Sequence, residues 1–294
     1  MSCMKIQTQC VPCLIKRIIF ETEQSTDDQK KRTKVIKNTC KALSELYDPD
    51  ETSAVIATKV HKIAYDTLGD NDPYKKLKDE SNKIAKKLLP LVGRLIKKSD
   101  NPLRTAMICS IVGNMMDFGI EGASENPKDL KDIFEKTVKE DLGYDDSEKL
   151  KKLLEKSRNI MLFTDNCGEI VFDKELCRQL KHFYPSIHLT VVVRGEPIIS
   201  DATIEDAHEL KFEEVADEIL TTGCFAIGVD FMKMPEKLSE SLDNADLIIC
   251  KGMANYEAFS ETNYQPIAYL LRTKCSAIAN SMKLPQNNNV IKLY

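Results

Sequence analysis

Residues 159–172 read NIMLFTDNCGEIVF, in which an apolar, β-rich run passes through polar residues into a helical pattern. From there to residue 294, short apolar runs alternate with helical stretches. The predicted strands cover residues 160–164, 189–193, 218–221, 247–250, 267–271 and 290–293. Strands that alternate with helices form right-handed βαβ units. The pattern therefore predicts an α/β protein with a doubly wound, mostly parallel, Rossmann-like sheet.

The chain before residue 157 has a different period. Its apolar residues recur at spacings of three and four, which is typical of amphipathic helices. The predicted helices cover residues 27–46, 52–68, 74–98, 102–117 and 130–142. We therefore predict a helical domain at residues 1–156, followed by an α/β domain at residues 157–294.

The composition is that of an ordinary globular protein, with 42% hydrophobic and 30% charged residues in a chain of 294. A net charge of −4 gives no overall field that would attract nucleic acid. No apolar run approaches the roughly 18 residues that a membrane span needs. The ten cysteines are scattered, several of them in apolar periodic segments, which favours reduced thiols in a cytoplasmic protein. The oligomeric state is not determined by these features.

Polar residues follow the carboxyl ends of four predicted strands, where ligands bind in open α/β sheets. Asp165 and Asn166 follow the first strand, and a turn containing Pro197 could return Asp201 towards them. Carboxylate and amide oxygens suit Mg²⁺ or Mn²⁺. Each of these residues could instead cap the helix that follows it.

Lysines end two later strands on the same predicted edge of the sheet. Lys251 precedes Gly252, which would let the backbone approach a ligand closely, and Lys274 ends the next strand. Asn255 adds a polar group in the loop after Lys251. Because lysine binds phosphate as a point charge, the combination of metal ligands and lysines predicts metal-assisted phosphoryl chemistry.

The helical half offers two further candidates. Leu103, Met107 and Ile111 form an inward apolar stripe, and Asn114 continues it, with Asp117 one turn on. Polar residues at the end of a buried stripe suggest that Asn114 and Asp117 line a cleft and contact substrate. A simple capped helix end is the alternative.

The amino-terminal Cys10-Val11-Pro12-Cys13 is a lone CxxC motif. A zinc site would need further ligands from elsewhere, and a redox role would want the motif after a strand in a thioredoxin-like unit. Buried or incidental thiols are the remaining interpretation. The four histidines show no paired metal spacing, so the sequence assigns them no role.

Taken together, these segments resemble the metal-dependent damage-control phosphatases, formerly domain of unknown function 89. The amino-terminal CxxC is similar to that of the stand-alone subfamily found in archaea and some other microbes. The matching pieces are Cys10-Val11-Pro12-Cys13, Gly113-Asn114-Met115-Met116-Asp117, Asp165-Asn166-Cys167-Gly168-Glu169, residues 197–203, Lys251-Gly252-Met253-Ala254-Asn255-Tyr256-Glu257 and Lys274-Cys275.

The resemblance implies a divalent metal, Mn²⁺, Ni²⁺, Co²⁺ or Mg²⁺, held at the positions of Asp165, Asn166 and Asp201. It implies phosphate contacts from Lys251 and Lys274, and substrate contacts around Asn114 and Asn255. Substrates in the family are small phosphorylated metabolites, including sugar phosphates and damaged or side-product phosphates. Another subfamily has an Arg-Thr-x-Lys motif, whereas Arg272-Thr273 here directly precede Lys274, so only the lysine is carried over.

The predicted function is therefore that of a metal-dependent phosphomonoesterase in which metal-activated water attacks phosphorus, with Asp165, Asp201 and Lys251 as catalytic residues. An aspartyl-phosphate on Asp165 is less favoured, because Cys167 stands where a second aspartate would be expected. One alternative is a nucleotide-cofactor-dependent transferase such as a carboxyl methyltransferase, which would want more glycines than Gly168 in the first loop. The other is a non-catalytic metabolite-binding protein.

Overall fold

A computed structural model describes residues 4–114, 127–140 and 142–294 of the chain. Helices make up most of the amino-terminal half. They are α1 (Cys10–Ser25), α2 (Gln29–Leu46), α3 (Ser53–Leu68), α4 (Lys75–Lys98), α5 (Pro102–Gly113), α6 (Pro127–Val138) and α7 (Ser147–Leu154), with one short strand, β1 (Tyr144–Asp145). The helical amino-terminal part is thus confirmed, whereas α1 and β1 were not predicted.

The carboxyl-terminal half alternates strands with helices, as predicted. The strands are β2 (Asn159–Phe163), β3 (His188–Val193), β4 (Glu218–Thr221), β5 (Leu247–Lys251), β6 (Ile267–Arg272) and β7 (Asn289–Leu293). The helices are α8 (Glu169–Phe183), α9 (Ile204–Glu209), α10 (Glu236–Asp243), α11 (Gly252–Phe259) and α12 (Ser276–Met282), with a 3₁₀ turn at Phe212–Glu214. The α/β class is therefore confirmed.

The seven strands form one sheet in the order β1-β7-β6-β5-β2-β3-β4. Every pair of neighbours is parallel except β6 and β7. The chain runs outward from β2 through β3 to β4, then returns to β5 beside β2 and runs outward again to β6. This reversal leaves a crevice at the carboxyl ends of β2 and β5, the position at which open α/β sheets bind ligands.

Apolar layers cover both faces of the sheet. Ile160 and Leu162 of β2 pack into a core shared with α4, α5 and α8, while Met161 and Phe163 face a second core shared with α10, α11 and α12. This alternation follows from the period of two in a strand, and a strand buried on both faces reads as a continuous apolar run. A third cluster joins α1, α2 and α3.

The core under the sheet contains side chains from both halves of the chain, and α5 packs directly against α8. β1 and α7 also contact β7 from positions before residue 156. The boundary at residue 156 stays a prediction. Among the described ranges, no helix combines the length and apolar character that crossing a membrane requires.

Capping residues in the sequence set the ends of α3 and α5, two helices that reach the site. The Thr52 hydroxyl accepts a hydrogen bond from the Val55 amide at the start of α3, and Gly69 ends the helix with a φ of 62°. Asn101 caps α5, which has Pro102 in its first turn. Serine, threonine and asparagine caps with a glycine stop are the usual helix boundaries, because they satisfy backbone groups that the helix leaves unpaired.

Candidate active site

Two loops meet at the carboxyl ends of β2 and β3. The Cys167 amide donates to the Ser200 carbonyl at 2.8 Å, and the Ala202 amide donates to the Asp165 carbonyl at 2.8 Å. This short pairing sets Asn166 opposite Asp201. The turn after β3 therefore returns Asp201 to the end of β2, and Asp165 and Asp201 are both buried.

Two side-chain amides orient the Asp165 carboxylate, and a hydroxyl orients one of these amides. Oδ2 of Asp165 accepts from Nδ2 of Asn166 at 2.7 Å and from Nδ2 of Asn114 at 2.9 Å. The Ser200 hydroxyl donates to Oδ1 of Asn166 at 2.6 Å. Asn114 stands at the carboxyl-terminal end of α5, so the helical half reaches the end of β2 directly.

Arg194 links both carboxylates from the end of β3, and the sequence analysis gave it no role. Its Nε donates to Oδ2 of Asp201 at 2.5 Å, and its Nη2 lies 3.6 Å from Oδ1 of Asp165. Its Nη1 donates to Oδ1 of Asn255 at 2.9 Å. An arginine directly after a mostly apolar strand was the available signal, because a charge in that position has to be paired. Two carboxylates share one guanidinium, which leaves one negative charge.

Gly252 lies against Asp165 at the start of α11. Its φ is 69°, and a Cβ added there would lie 1.9 Å from Oδ2 of Asp165. A side chain at this position would therefore displace the carboxylate. The glycine thus allows the backbone to approach the Asp165 carboxylate closely, and its predicted approach to a ligand stays a prediction.

Lys251 is fully buried below the two loops rather than in the crevice. Its Nζ contacts Oε1 of Glu169, lies 2.9 Å from Oδ1 of Asp173 and donates to the Ser110 carbonyl at 3.3 Å. Burial lowers the pKa of Lys251, but the carboxylates of Asp173 and Glu169 raise it by more, so the net shift is upward. The lysine thus stays charged within a buried ion-pair cluster. Sequence reasoning missed Asp173, which lies one helical turn after Glu169.

Two other predicted substrate contacts differ in their placement. Lys274 is half-buried, and its Nζ donates to the Asn114 carbonyl at 2.5 Å. Asn255 is fully buried, and its Nδ2 donates to the carbonyls of Thr164 at 2.9 Å and Lys251 at 2.7 Å. Asn255 therefore holds together the ends of β2 and β5. Asp117 lies outside the described residues.

A cavity of about 340 Å³ opens above these loops, between the sheet and the amino-terminal helices. Five of the predicted site residues line it, and Lys251 and Asn255 are not among its lining. The lining includes Asn114, Asp165, Asn166, Asp201 and Lys274 from the predicted site, and Cys10, Cys13, Arg17, Ser53, His61 and Glu257 from elsewhere. The CxxC thiols thus face the same cavity as the carboxylates.

Arg194 alone stabilises the two carboxylates poorly as anions. Burial raises the pKa of Asp165 to about 6, and the negative charge of Glu169 adds to the shift. Burial likewise raises the pKa of Asp201 to about 6, against the lowering effect of Arg194. Oδ1 of Asp201 is buried and has no hydrogen-bond partner among the described residues. An orphaned carboxylate oxygen beside a second carboxylate and an amide oxygen is a donor set that fits a hard divalent cation.

Within the described ranges, no three or more His, Cys, Asp or Glu side chains form an arrangement that could hold a metal ion. The set predicted here has two carboxylates, Asp165 and Asp201, and the amide of Asn166. Such a set would leave several coordination positions to water or substrate, as magnesium sites commonly do.

Known structures place this fold in a defined class. The chain superposes on the crystal structure of a DUF89 family protein from Pyrococcus horikoshii with a TM-score of 0.91, 30% identity and 99% coverage of both chains. A damage-control phosphatase from Archaeoglobus fulgidus is 39% identical over 290 residues, covering 99% of each chain. The damage-control phosphatase of P. horikoshii is 30% identical over 283 residues, covering 96% of each.

Residues 6–290 also match the family model of the damage-control phosphatase ARMT1-like domain. The chain belongs to this family, as the resemblance of its motifs predicted.

Proposed function

We propose that this protein is a metal-dependent phosphomonoesterase that hydrolyses small phosphorylated metabolites, either sugar phosphates or damaged and side-product phosphate esters. Membership of the damage-control phosphatase family supports phosphatase activity on damaged metabolites. The observation that carries the finer proposal is the convergence of Asp165, Asn166, Asp201 and Lys274 on one cavity.

Asp165, Asn166 and Asp201 would hold the metal. A divalent cation bound there would offset phosphate charge and activate a water molecule as nucleophile. Arg194 keeps both carboxylates oriented through Nε and Nη2, and Asn114 fixes Oδ2 of Asp165. These contacts leave Oδ1 of Asp201 available, which favours a ligand on that side of the carboxylate.

Lys274 is the phosphate-binding cation in this proposal, because it lines the cavity that the metal residues line. Lys251 and Asn255 act through other groups: Lys251 neutralises Glu169, which accepts from Nδ2 of Asn114 at 2.5 Å, and Asn255 orients Arg194. We therefore propose Lys251 and Asn255 as positioning residues rather than direct contacts to substrate.

The test is a metal-resupply assay. Purified protein is stripped of metal, resupplied separately with Mn²⁺, Ni²⁺, Co²⁺ or Mg²⁺, and assayed against ribose 5-phosphate, glucose 6-phosphate, glycerol 3-phosphate, AMP and p-nitrophenyl phosphate. We expect phosphate release with at least one ion and none after stripping. Asp165→Asn, which keeps the shape of the side chain, is the matched control and should be inactive with every ion. Release that is independent of added metal would contradict the proposal.

We further propose a cytoplasmic location, since the described cysteines, Cys10 to Cys275, are all free thiols. The charge balance of −4 supports a small-molecule partner rather than nucleic acid.

A further inference from the structure

A buried carboxylate and imidazole face the cavity from the helical half. Nδ1 of His61 on α3 hydrogen-bonds Oε2 of Glu21 on α1 at 3.0 Å, and both residues are 0% exposed. When Glu21 is ionised it only accepts hydrogen bonds, and Nδ1 then carries the proton. The other ring nitrogen, Nε2, is buried and has no hydrogen-bond partner among the described residues, although His61 lines the cavity. Leaving a buried polar nitrogen unpaired is costly, which points to a ligand that pairs with it.

His61 lies on the face of α3 that lines the cavity. Ser53, Ala57 and His61 line the cavity at four-residue spacing, and Tyr65 continues the stripe by one turn. The Tyr65 hydroxyl accepts from the Ile199 amide at 3.0 Å, two residues before Asp201. Four residues rise about 6 Å along a helix, so His61 lies about that far along α3 from Tyr65, whose hydroxyl contacts the loop before Asp201.

Several other groups that can carry a proton or a charge line the cavity. The titratable and charged groups that line it besides His61 are Cys10, Cys13, Arg17, Asp165, Asp201, Glu257, Lys274 and Cys275. Arg17 does not release its proton, and Asp165 and Asp201 are assigned to the metal. Glu257 accepts from Ser53 at 2.6 Å, and burial raises its pKa to about 7. Ser53 lies eight residues before His61, about 12 Å along α3, so Glu257 lines a different part of the cavity.

We propose that His61, oriented by Glu21, donates the proton that the leaving group takes up during phosphate-ester hydrolysis; this rests on the proposed function. The oxygen of the attacking water forms the new bond to phosphorus. The bond from phosphorus to the ester oxygen breaks, its electron pair stays on that oxygen, and the oxygen takes the Nε2 proton. The proton lost by the water passes to bulk water, and His61 regains a proton from water that enters the cavity once the alcohol has left. Glu21 stabilises the imidazolium that this cycle restores.

The experiment compares two leaving groups in the metal-loaded full chain. One ester is the alkyl phosphate of the assay above that the wild type hydrolyses fastest. The other is p-nitrophenyl phosphate, whose phenolate departs without being protonated. His61→Gln should lower kcat/KM on the alkyl ester by about 10²-fold or more, the usual contribution of a general acid. On the aryl ester the loss should be no more than a few-fold.

A second variant and a control keep the result independent of folding. Glu21→Gln keeps the shape of the side chain and its hydrogen bond to His61 but removes the charge. It should therefore lower kcat/KM selectively on the alkyl ester, by a smaller factor than His61→Gln. If His61→Gln does not fold, Glu21→Gln provides the test of the proposal. Thr39→Val removes another buried polar atom without a partner among the described residues, on α2 away from the cavity lining, and should leave both esters unaffected.

The outcomes separate this inference from the proposed function. Equal losses on both esters, or no loss on either, would overturn the role of His61 while leaving the phosphatase assignment intact. A wild-type protein that hydrolyses no ester with any of the four metals would overturn the phosphatase assignment, and the role of His61 with it.

Discussion

The side-chain amide of Asn114 donates a hydrogen bond to Oδ2 of Asp165 across 2.9 Å, joining the end of α5 to the end of β2. The same nitrogen donates to Oε2 of Glu169 at 2.5 Å. One residue of the helical half thus orients a carboxylate of the α/β half and connects it to the buried cluster around Lys251. The helical half is therefore part of the site and not only a cover over it.

Replacing Asn114 by leucine tests this connection. Asn114→Leu keeps a similar volume but removes both hydrogen bonds. Leaving a buried partner unpaired costs about 1–3 kcal/mol, so we expect kcat/KM to fall about tenfold or more, or the ranking of substrates to change. Metal content, measured by elemental analysis, should persist because the oxygen ligands remain. Unchanged kinetics across the substrate panel would show that Asn114 only ends a helix.

Removing either carboxylate should remove the metal. Asp165→Ala and Asp201→Ala each delete one hard oxygen ligand, so bound metal and phosphatase activity should both be lost while the circular dichroism spectrum is retained. The matched control is Asp246→Ala. Asp246 accepts from the Arg158 and Asn159 amides at the opposite end of the sheet, and its loss should leave metal content unchanged. Wild-type metal content in Asp165→Ala would refute the proposed site.

Gly252 should tolerate no side chain. In Gly252→Ala the new Cβ would meet Oδ2 of Asp165 at 1.9 Å, and a displacement of about 1 Å in such a site can cost about 10²-fold in rate. Gly69→Ala is the matched control, because Gly69 also has a positive φ, of 62°, but nothing lies within 4 Å of its added Cβ. It should lose only about 1–2 kcal/mol of stability and keep its activity. If both variants lose activity equally, backbone strain and not the contact with Asp165 is responsible.

Replacing Lys251 should mainly lower stability, whereas replacing Lys274 should mainly lower turnover. Lys251→Met leaves Glu169 and Asp173 buried without their cation, so the free energy of unfolding should fall by about 3–5 kcal/mol. Lys274→Met should leave stability nearly unchanged and lower turnover by about 10²–10³-fold, because it removes a preorganised charge from the cavity.

Urea unfolding and steady-state kinetics measure these two effects. The folded fraction of Lys251→Met should still bind metal. Its kcat/KM should be lower than that of the wild type, because Glu169 and Asn114 would be displaced. A Lys251→Met protein as stable as the wild type would mean that the buried cluster is not held by this lysine.

The metal-free protein should become less stable as pH rises. The pKa of Asp165 and Asp201 is about 6 in the folded chain and about 3.9 when unfolded. Between these values the folded state binds more protons, so these groups stabilise the fold at about pH 4, and this contribution is lost as pH rises through about 6. Metal affinity should rise over the same interval, because the cation competes with these protons.

Urea unfolding of the stripped protein between about pH 4 and pH 7 measures the slope. Asp165→Asn should flatten it, because the amide does not titrate. Identical slopes in the wild type and in Asp165→Asn would show that Asp165 does not have the raised pKa.

Local pattern was sufficient to predict the elements of the α/β half. All six strands predicted there are present, because a change from helical period to short apolar runs is a property of neighbouring residues alone. The polar residues at the carboxyl ends of β2, β3 and β5 could be predicted for the same reason, because they are neighbours of those strands in the sequence. The two-residue β1 was missed because a strand of that length has no period and exists only through its pairing with β7.

Contacts between distant parts of the chain decided the rest of the site. Lys251 ends β5 and Lys274 follows β6 by two residues, so the two lysines have similar places in the sequence. Yet Lys251 is buried against Glu169 and Asp173, whereas Lys274 lines the cavity. Whether a strand-end side chain turns into the core or towards the crevice depends on which helix packs over that strand. The pairing of His61 with Glu21, forty residues apart, likewise follows from the packing of α3 on α1. The period of the sequence shows which face of each helix or strand is apolar. The burial and the charge pairing that determine the chemistry arise only where those faces pack against each other.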